Sequence, residues 1–176
     1  MKTLTPEDLA ALQSADADPL AKDQVLRRLA HWERGKFDHL ESAISQHLHH
    51  PVSLVRGQAF ITLVGAWLRP KYIAEAIAAL RHIDEDSYAD REMIAYALGQ
   101  YAAQASPPPT EIMHALAVCV RDDPEWPVQK AAYDAVLTVV APDRRPEVSG
   151  DKSFHAAGDV DWSLLRPYLT PQTIKT

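Results

Sequence analysis

The sequence predicts an all-α fold in which about four helical hairpins stack into a right-handed α-α superhelix with an irregular C-terminal tail. The first observation is a spaced pattern: a basic or polar anchor is followed three positions later by a small or apolar residue and seven positions later by a larger aliphatic one. The anchors are 34, 35 and 38 residues apart, and they are Lys22, Arg56, Arg91 and Gln129. The second observation is that apolar residues between the anchors recur at helical spacing. A period in this range, built from helices, is typical of an α-solenoid.

The first unit, residues 5–34, is expected to hold two helices. Thr5 can cap the first of them, and Pro6 suits the first helical position, where its missing N–H costs nothing. A second helix is expected from Pro19 to about Trp32. The short first helix then closes one end of the array.

The second and third units, residues 35–69 and 70–105, each predict a helix, a turn and a second helix. In the second unit, Pro51 separates an amphipathic helix from a helix at about 53–68, whose apolar residues cover two adjoining faces. A helix with so much apolar surface is expected to be buried on two sides. In the third unit, the acidic turn at 84–86 separates the two helices.

The fourth unit, residues 106–141, follows the same plan, with its turn at Pro124. From residue 142 to 159 the helical pattern is lost, so the C-terminal cap, residues 142–176, is expected to begin as an irregular tail. A short closing helix is then indicated by three spaced apolar residues, Trp162, Leu165 and Leu169.

Composition bounds the class of protein. The chain has 176 residues, 47% of them hydrophobic and 24% charged, which indicates one globular domain spanning 1–176. No apolar run reaches the ~18 residues that a membrane helix needs, and the start of the sequence lacks the pattern of a signal peptide. The single cysteine excludes an intrachain disulfide framework, so we expect a cytoplasmic protein. The formal net charge of −6 disfavours nucleic acid as a partner.

The second helices of the middle units share a local motif of the form VR…A…LG. It is carried by Val55-Arg56, Ala59, Leu63, Arg91, Ile94 and Leu98-Gly99. Together with proline turns five or six residues before two of the anchors, the motif resembles the HEAT-repeat family, in particular the bacterial lyase-type HEAT-like repeats, over roughly residues 18–141. Asp90 and Gln129 depart from the family's Val and Arg. The resemblance implies a solenoid whose second helices line a concave binding surface.

Two interpretations of the arginine anchors, Arg56 and Arg91, stay open. Near a helix start, each guanidinium can bond to a turn carbonyl or to an acid of the neighbouring unit and so form a ladder between repeats. Alternatively, both side chains point into the groove and meet an anionic partner.

The aromatic residues on or beside the second helices are the strongest indication of a binding surface, because aromatics and arginine are the usual interface anchors. They are Phe60, Trp67, Tyr88, Tyr96, Trp126 and Tyr133. Phe60 and Trp67 also fit a core between repeats. Tyr96 and Tyr133 fall outside the apolar stripes, five and four residues after their anchors, and so are expected in the groove.

Two groups of reactive side chains have plainer interpretations. The histidines His47, His49 and His50 lie at a helix end with too few neighbouring ligands for a metal, so we expect neither a metal nor a cofactor. Cys119 lies on an apolar stripe, five residues from His114, and is expected to be a core residue rather than a nucleophile.

The leading hypothesis is a non-catalytic protein–protein interaction module, such as an adaptor, an assembly factor or a neutralising factor. Nucleic acid is the alternative partner, because some bacterial HEAT-like proteins are alkylpurine DNA glycosylases that use a concave acid. The acids near the anchors are Asp90, Glu92 and Asp134, but no motif matches a catalytic site. A third hypothesis, bilin lyase activity, rests only on the lyase-type repeat. A groove of positive potential would favour DNA, and a mixed or apolar groove would favour protein.

Overall fold

The structure is a computed structural model that describes residues 4–14, 16–32, 35–83, 88–144 and 154–169. Within these residues the chain is all-helical and contains no strand, as the sequence predicts. The α-helices are α1 (Pro6–Gln13), α2 (Pro19–Ala30), α3 (Glu41–Ser45), α4 (Ser53–Phe60), α5 (Ile73–Arg81), α6 (Tyr88–Gln104), α7 (Thr110–Asp122), α8 (Trp126–Val140), α9 (Ala156–Asp159) and α10 (Trp162–Leu169). Short 3₁₀ segments are Asp38–Leu40, Gln46–His49, Pro70–Tyr72 and Pro142–Arg144.

The first two helices begin where the sequence predicts, because side chains satisfy their free N–H groups. The Thr5 hydroxyl accepts from the Asp8 N–H at 3.1 Å, and the Asp8 carboxylate accepts from the Thr5 N–H at 2.9 Å. This reciprocal pair is a capping box. At the start of α2, the Asp18 carboxylate accepts from the Leu20 N–H at 3.2 Å, with Pro19 at the first helical position.

The helices lie in two layers. Helices α2, α4, α6 and α8 stand side by side in one layer, each in contact with the next. Helices α1, α5 and α7 pack on α2, α6 and α8 respectively, and the segment Gln46–His49 packs on α4. Within the second layer, α1 contacts α3 and α5 contacts α7. One apolar core runs between the layers, from Leu12 in α1 to Leu165 in α10.

Glycines bring the helices of the first layer close together. A Cβ atom added to Gly65, in the π-helical segment Ile61–Ala66 that follows α4, would lie 3.2 Å from the Cα of Ala97 in α6. A Cβ atom on Gly99 of α6 would lie 2.5 Å from the Cβ of Ala135 in α8, a distance that real side chains do not tolerate. Glycine is therefore what allows α6 and α8 to approach as closely as they do.

Helix α4 continues directly into a π-helical turn, Ile61–Ala66. The Trp67 N–H donates to the Thr62 carbonyl at 2.9 Å, a bond that spans five residues. The Thr62 hydroxyl lies within hydrogen-bond distance of two carbonyls, that of Leu26 in α2 at 3.1 Å and that of Gln58 at 2.8 Å. The π-helical turn thus makes a polar contact with α2.

The C-terminal segment packs on the last helix pair. Helix α10 contacts α7, and α9 contacts α8. The buried apolar side chains of the C-terminal segment are those of Phe154, Val160 and Leu165. The predicted closing helix is therefore confirmed as α10. The predicted irregular tail is corrected at Ala156–Asp159, which forms α9, while 145–153 and 170–176 lie outside the described residues.

Candidate functional site

The polar anchors of the first layer bond to turns and to neighbouring helices. The Arg56 Nε lies 2.7 Å from a carboxylate oxygen of Asp90 in α6, and its Nη1 donates to the carbonyls of His50 at 2.8 Å and Pro51 at 2.9 Å. The Lys22 Nζ lies 3.3 Å from His50 Nε2. We call these contacts the ladder. They match the first of the two interpretations of the arginine anchors, in which the guanidinium bonds to turn carbonyls and to an acid of a neighbouring helix.

The ladder continues with a fully buried ion pair between Arg91 and Asp123, whose side chains are only 1% and 3% exposed. The Gln129 side-chain amide donates to the Asp123 carbonyl at 2.8 Å, and the Glu125 N–H donates to the Asp123 carboxylate at 2.9 Å. The expectation that Arg91 faces a partner in the groove is corrected, because its guanidinium lies inside the protein. The Arg56 side chain, by contrast, remains 20% exposed.

The second acid of the ladder, Asp90, is also buried. Burial raises the pKa of its carboxyl, and the hydrogen bond from Arg56 opposes that rise. One carboxylate oxygen of Asp90 has no hydrogen-bond partner among the described residues. Asp90 thus faces Arg56 across the contact between α4 and α6, away from solvent.

Three of the six predicted aromatics are core residues. Phe60, Trp67 and Tyr133 are buried, which corrects the expectation that they line an exposed groove. The Trp67 indole donates to the Leu29 carbonyl of α2 at 3.2 Å. The Tyr133 hydroxyl accepts from the Asp161 N–H at 2.9 Å. Tyr133 therefore contacts the C-terminal segment of the same chain and is not available to a partner.

The other three aromatics are exposed and lie on two neighbouring helices. The exposed fractions of Tyr88, Tyr96 and Trp126 are 49%, 52% and 46%. On α6, Tyr88 and Tyr96 are eight residues apart with Glu92 midway, so the three share one side of the helix.

A matching stripe lies on α8. Trp126, Lys130 and Asp134 follow one another at four-residue spacing and so share one side of that helix. Both stripes start three residues before their anchors, and the two helices are in direct contact. We call the surface formed by Tyr88, Glu92, Tyr96, Trp126, Lys130 and Asp134 the α6/α8 face.

The charged groups of the α6/α8 face are two carboxylates and one ammonium. The Lys130 Nζ lies 2.5 Å from one carboxylate oxygen of Asp134, and the other oxygen of Asp134 has no hydrogen-bond partner among the described residues. Partial desolvation by the surrounding helices raises the pKa of Glu92, although its side chain remains exposed, and the Lys130 ammonium opposes this rise. At neutral pH the face therefore carries net negative charge.

Sequence reasoning found the aromatics of this face but not its charges. Glu92 and Asp134 entered only as acids that a glycosylase could use, and Lys130 was missed. The signal that identifies all three is their four-residue spacing from an exposed aromatic on the same helix.

Within the described residues, the three histidines share no hydrogen-bond partner. His47 Nε2 lies 2.8 Å from the Leu12 carbonyl, and His49 Nε2 lies 3.0 Å from a Glu75 carboxylate oxygen. His50 accepts from the Val52 N–H at 3.1 Å through its Nδ1. Across the part of the chain that the structure describes, no group of three His, Cys, Asp or Glu side chains could hold a metal ion.

Cys119 is a buried core residue, as its place on an apolar stripe predicts. Its thiol lies 3.8 Å from the Asp123 carboxylate, and burial together with that negative charge raises the pKa of the thiol far above its usual range. His114 is bonded elsewhere, since its Nδ1 lies 2.7 Å from the Tyr168 carbonyl. The thiol is therefore protonated and unreactive in the folded protein.

Comparison of this chain with protein-family models, with curated proteins and with solved structures gives no match. None of the helices in the described ranges is both long enough and apolar enough to cross a membrane.

Proposed function

We propose that this protein is a non-catalytic protein–protein interaction module, an adaptor, assembly factor or neutralising factor, that binds its partner through the α6/α8 face. The observation that carries the proposal is the exposure of three large aromatics on one surface: each of Tyr88, Tyr96 and Trp126 leaves about half of its side chain in water. Large amphipathic rings are the side chains that contribute most to protein interfaces.

The architecture we propose for this module is a cytoplasmic HEAT-like α-solenoid. Three features support it: the side-by-side order of α2, α4, α6 and α8, the regular spacing of the polar anchors, and the bonds that those anchors make to the next unit. In such an array the second helices form one continuous surface, and the α6/α8 face belongs to it.

The packing beneath the α6/α8 face favours binding with little change of shape. Gly99 brings α6 against α8, and the buried pair of Arg91 and Asp123 ties α6 to the turn before α8. Side chains that are held by such a scaffold lose less conformational entropy when a partner binds.

Charge disfavours the alternative of a DNA-binding or alkylpurine DNA glycosylase-like protein. The carboxylates of Glu92 and Asp134 would repel phosphates, while Lys130 is already paired with Asp134. The partly exposed Arg56 is bonded to Asp90 and to two carbonyls. A face of this kind fits a protein better than a nucleic acid.

The test is affinity capture from an extract of the native cells, with and without nuclease, read by mass spectrometry. The wild-type protein is compared with the double variant Tyr96→Ala/Trp126→Ala. The control is Leu20→Ala/Ile83→Ala, which removes two exposed apolar side chains outside the face. We expect one protein to be retained by the wild type and by the control, with nuclease present, and to be lost from the face variant.

Two results would contradict the proposal. One is a partner retained equally by the wild type and the face variant, which would place the interface elsewhere. The other is recovery of nucleic acid, or loss of every partner after nuclease treatment. Circular dichroism of both variants checks that each is folded, which is expected because all four side chains are exposed.

A further inference from the structure

We infer that the α6/α8 face recognises a positively charged segment of its partner, in which arginine or lysine side chains lie over the exposed aromatic rings and pair with Glu92. This inference rests on the proposed function and adds the chemistry of the partner.

The carboxylates of the face are not fully neutralised. Lys130 is the cation within the face, and its ammonium lies 2.5 Å from one oxygen of Asp134. The second oxygen of Asp134 is buried, so a partner can reach only the oxygen that Lys130 already contacts, whereas Glu92 is exposed. An arriving guanidinium or ammonium group would give the Glu92 carboxylate a charged hydrogen-bond donor.

The aromatic rings suit the same kind of group. Tyr88 and Tyr96 lie on either side of Glu92 along α6, and Trp126 begins the neighbouring stripe on α8. A cation within about 6 Å of such a ring is attracted to its electron-rich face, most strongly for tryptophan. An arginine paired with Glu92 can therefore stack on a tyrosine one helical turn away.

The surroundings of the face add negative charge. Glu125, directly before Trp126, is exposed, and the nearby Arg121 is neutralised by Asp122 through two bonds of 2.7 Å. The whole chain has a formal net charge of −6. An acidic surface attracts a basic segment at long range and speeds its association at low ionic strength.

The experiment uses three short peptides that are identical except at their polar positions, which carry arginine, glutamine or glutamate. Each is titrated into the full chain while the indole N–H resonances of the four tryptophans are followed by NMR. The signal of Trp126 is assigned from its loss in Trp126→Phe. We expect the arginine peptide to shift this signal saturably, with a dissociation constant at least about tenfold lower than that of the glutamate peptide.

Variants of one carboxylate separate charge from shape. Glu92→Gln keeps the size of the side chain and is expected to weaken the arginine peptide about twofold to fivefold, as for an exposed ion pair. Glu92→Lys reverses the charge and is expected to weaken it at least about tenfold. Glu111→Gln, an exposed acid on α7, is the control and should bind as the wild type does. Added salt should weaken binding of the arginine peptide to the wild type.

The inference is overturned if the arginine peptide leaves the Trp126 signal unchanged, if the glutamate or glutamine peptide binds equally well, or if Glu92→Lys binds as tightly as the wild type. These outcomes leave the proposed function standing when the capture experiment still loses its partner on Tyr96→Ala/Trp126→Ala. If instead the captured partner is indifferent to the face variant, the proposed function fails first.

Discussion

At the scale of single residues, one position of register separates a surface tyrosine from a core tyrosine. Tyr96 follows its anchor by five residues and is exposed, whereas Tyr133 follows its anchor by four and is buried against Phe154. Each residue turns an α-helix by about 100°, so this shift of one position carries Tyr133 from the open side into the core. The residue of α8 at the position of Tyr96 is Asp134.

The sequence predicts the roles of the ladder residues better than those of the aromatics. An arginine near a helix start has few possible acceptors, and Arg56 bonds to acceptors in the preceding turn and in α6. A large aromatic such as Trp67 fits either a groove or a core, because its indole N–H needs only one acceptor. Which acceptor it finds depends on the fold and not on local spacing.

His47 makes the stability of the fold depend on pH. Burial lowers the pKa of its ring from the ordinary 6.5, while the bond to the Leu12 carbonyl opposes that effect. As the pH falls below 6.5, the unfolded chain takes up a proton before the folded one does, so the free energy of unfolding decreases until the folded pKa is reached. The contribution of neutral His47 is complete above 6.5.

The variant His47→Gln tests this dependence, because glutamine keeps an N–H donor for the Leu12 carbonyl but does not titrate. We expect the decrease in unfolding free energy between pH 6.5 and about 5, measured by urea denaturation, to be smaller in this variant than in the wild type. His31→Gln, at an exposed histidine, is the control and should keep the wild-type decrease. An undiminished decrease in His47→Gln would show that His47 is not its source.

At the scale of helices, the contact between α6 and α8 has no room for a side chain at Gly99. The Cβ of Gly99→Ala would meet the Cβ of Ala135 at 2.5 Å and its Cα at 2.9 Å. We expect this variant to lose about 1–3 kcal/mol of unfolding free energy through overpacking, although alanine favours the helix itself. Urea denaturation measures the loss.

Gly158→Ala is the matched control, because Gly158 also lies in a helix, α9, and nothing lies within 4 Å of an added Cβ. Its stability should equal or slightly exceed that of the wild type. Equal stability of the two variants would mean that α6 and α8 do not approach as closely as the structure shows.

Among the elements, the helix pairs were predictable and the π-helical turn was not. The predicted turns at Pro51 and Pro124 lie just before α4 and α8, and the helix predicted at about 53–68 corresponds to α4 together with its π-helical continuation, which ends at Ala66. The turn Ile61–Ala66 arises from a contact across the fold, in which the Thr62 hydroxyl reaches the Leu26 carbonyl of α2. Such a contact joins residues that are far apart in the chain and so leaves no periodic signal.

At the scale of the whole molecule, a single core links the first helix to the last. Leu12 of α1 and Leu165 of α10 belong to the same buried cluster. Two hydrogen-bond contacts also join the C-terminal segment to α8 and α7. The Asp161 N–H donates to the Tyr133 hydroxyl, and the Tyr168 carbonyl contacts His114 Nδ1. A continuous core of this kind favours one cooperative unfolding transition.

The buried thiol of Cys119 can be used to measure how often the folded structure opens. Since it is the one cysteine of the chain and is shielded from solvent, a thiol-specific reagent can modify it only after the surrounding structure opens. We expect the opening free energy obtained from modification kinetics to equal the unfolding free energy obtained from circular dichroism in urea. A much smaller opening free energy would show that the segment at the end of α7 opens locally. In that opening, the ion pair between Arg91 and Asp123 would break while the remaining helices stay folded.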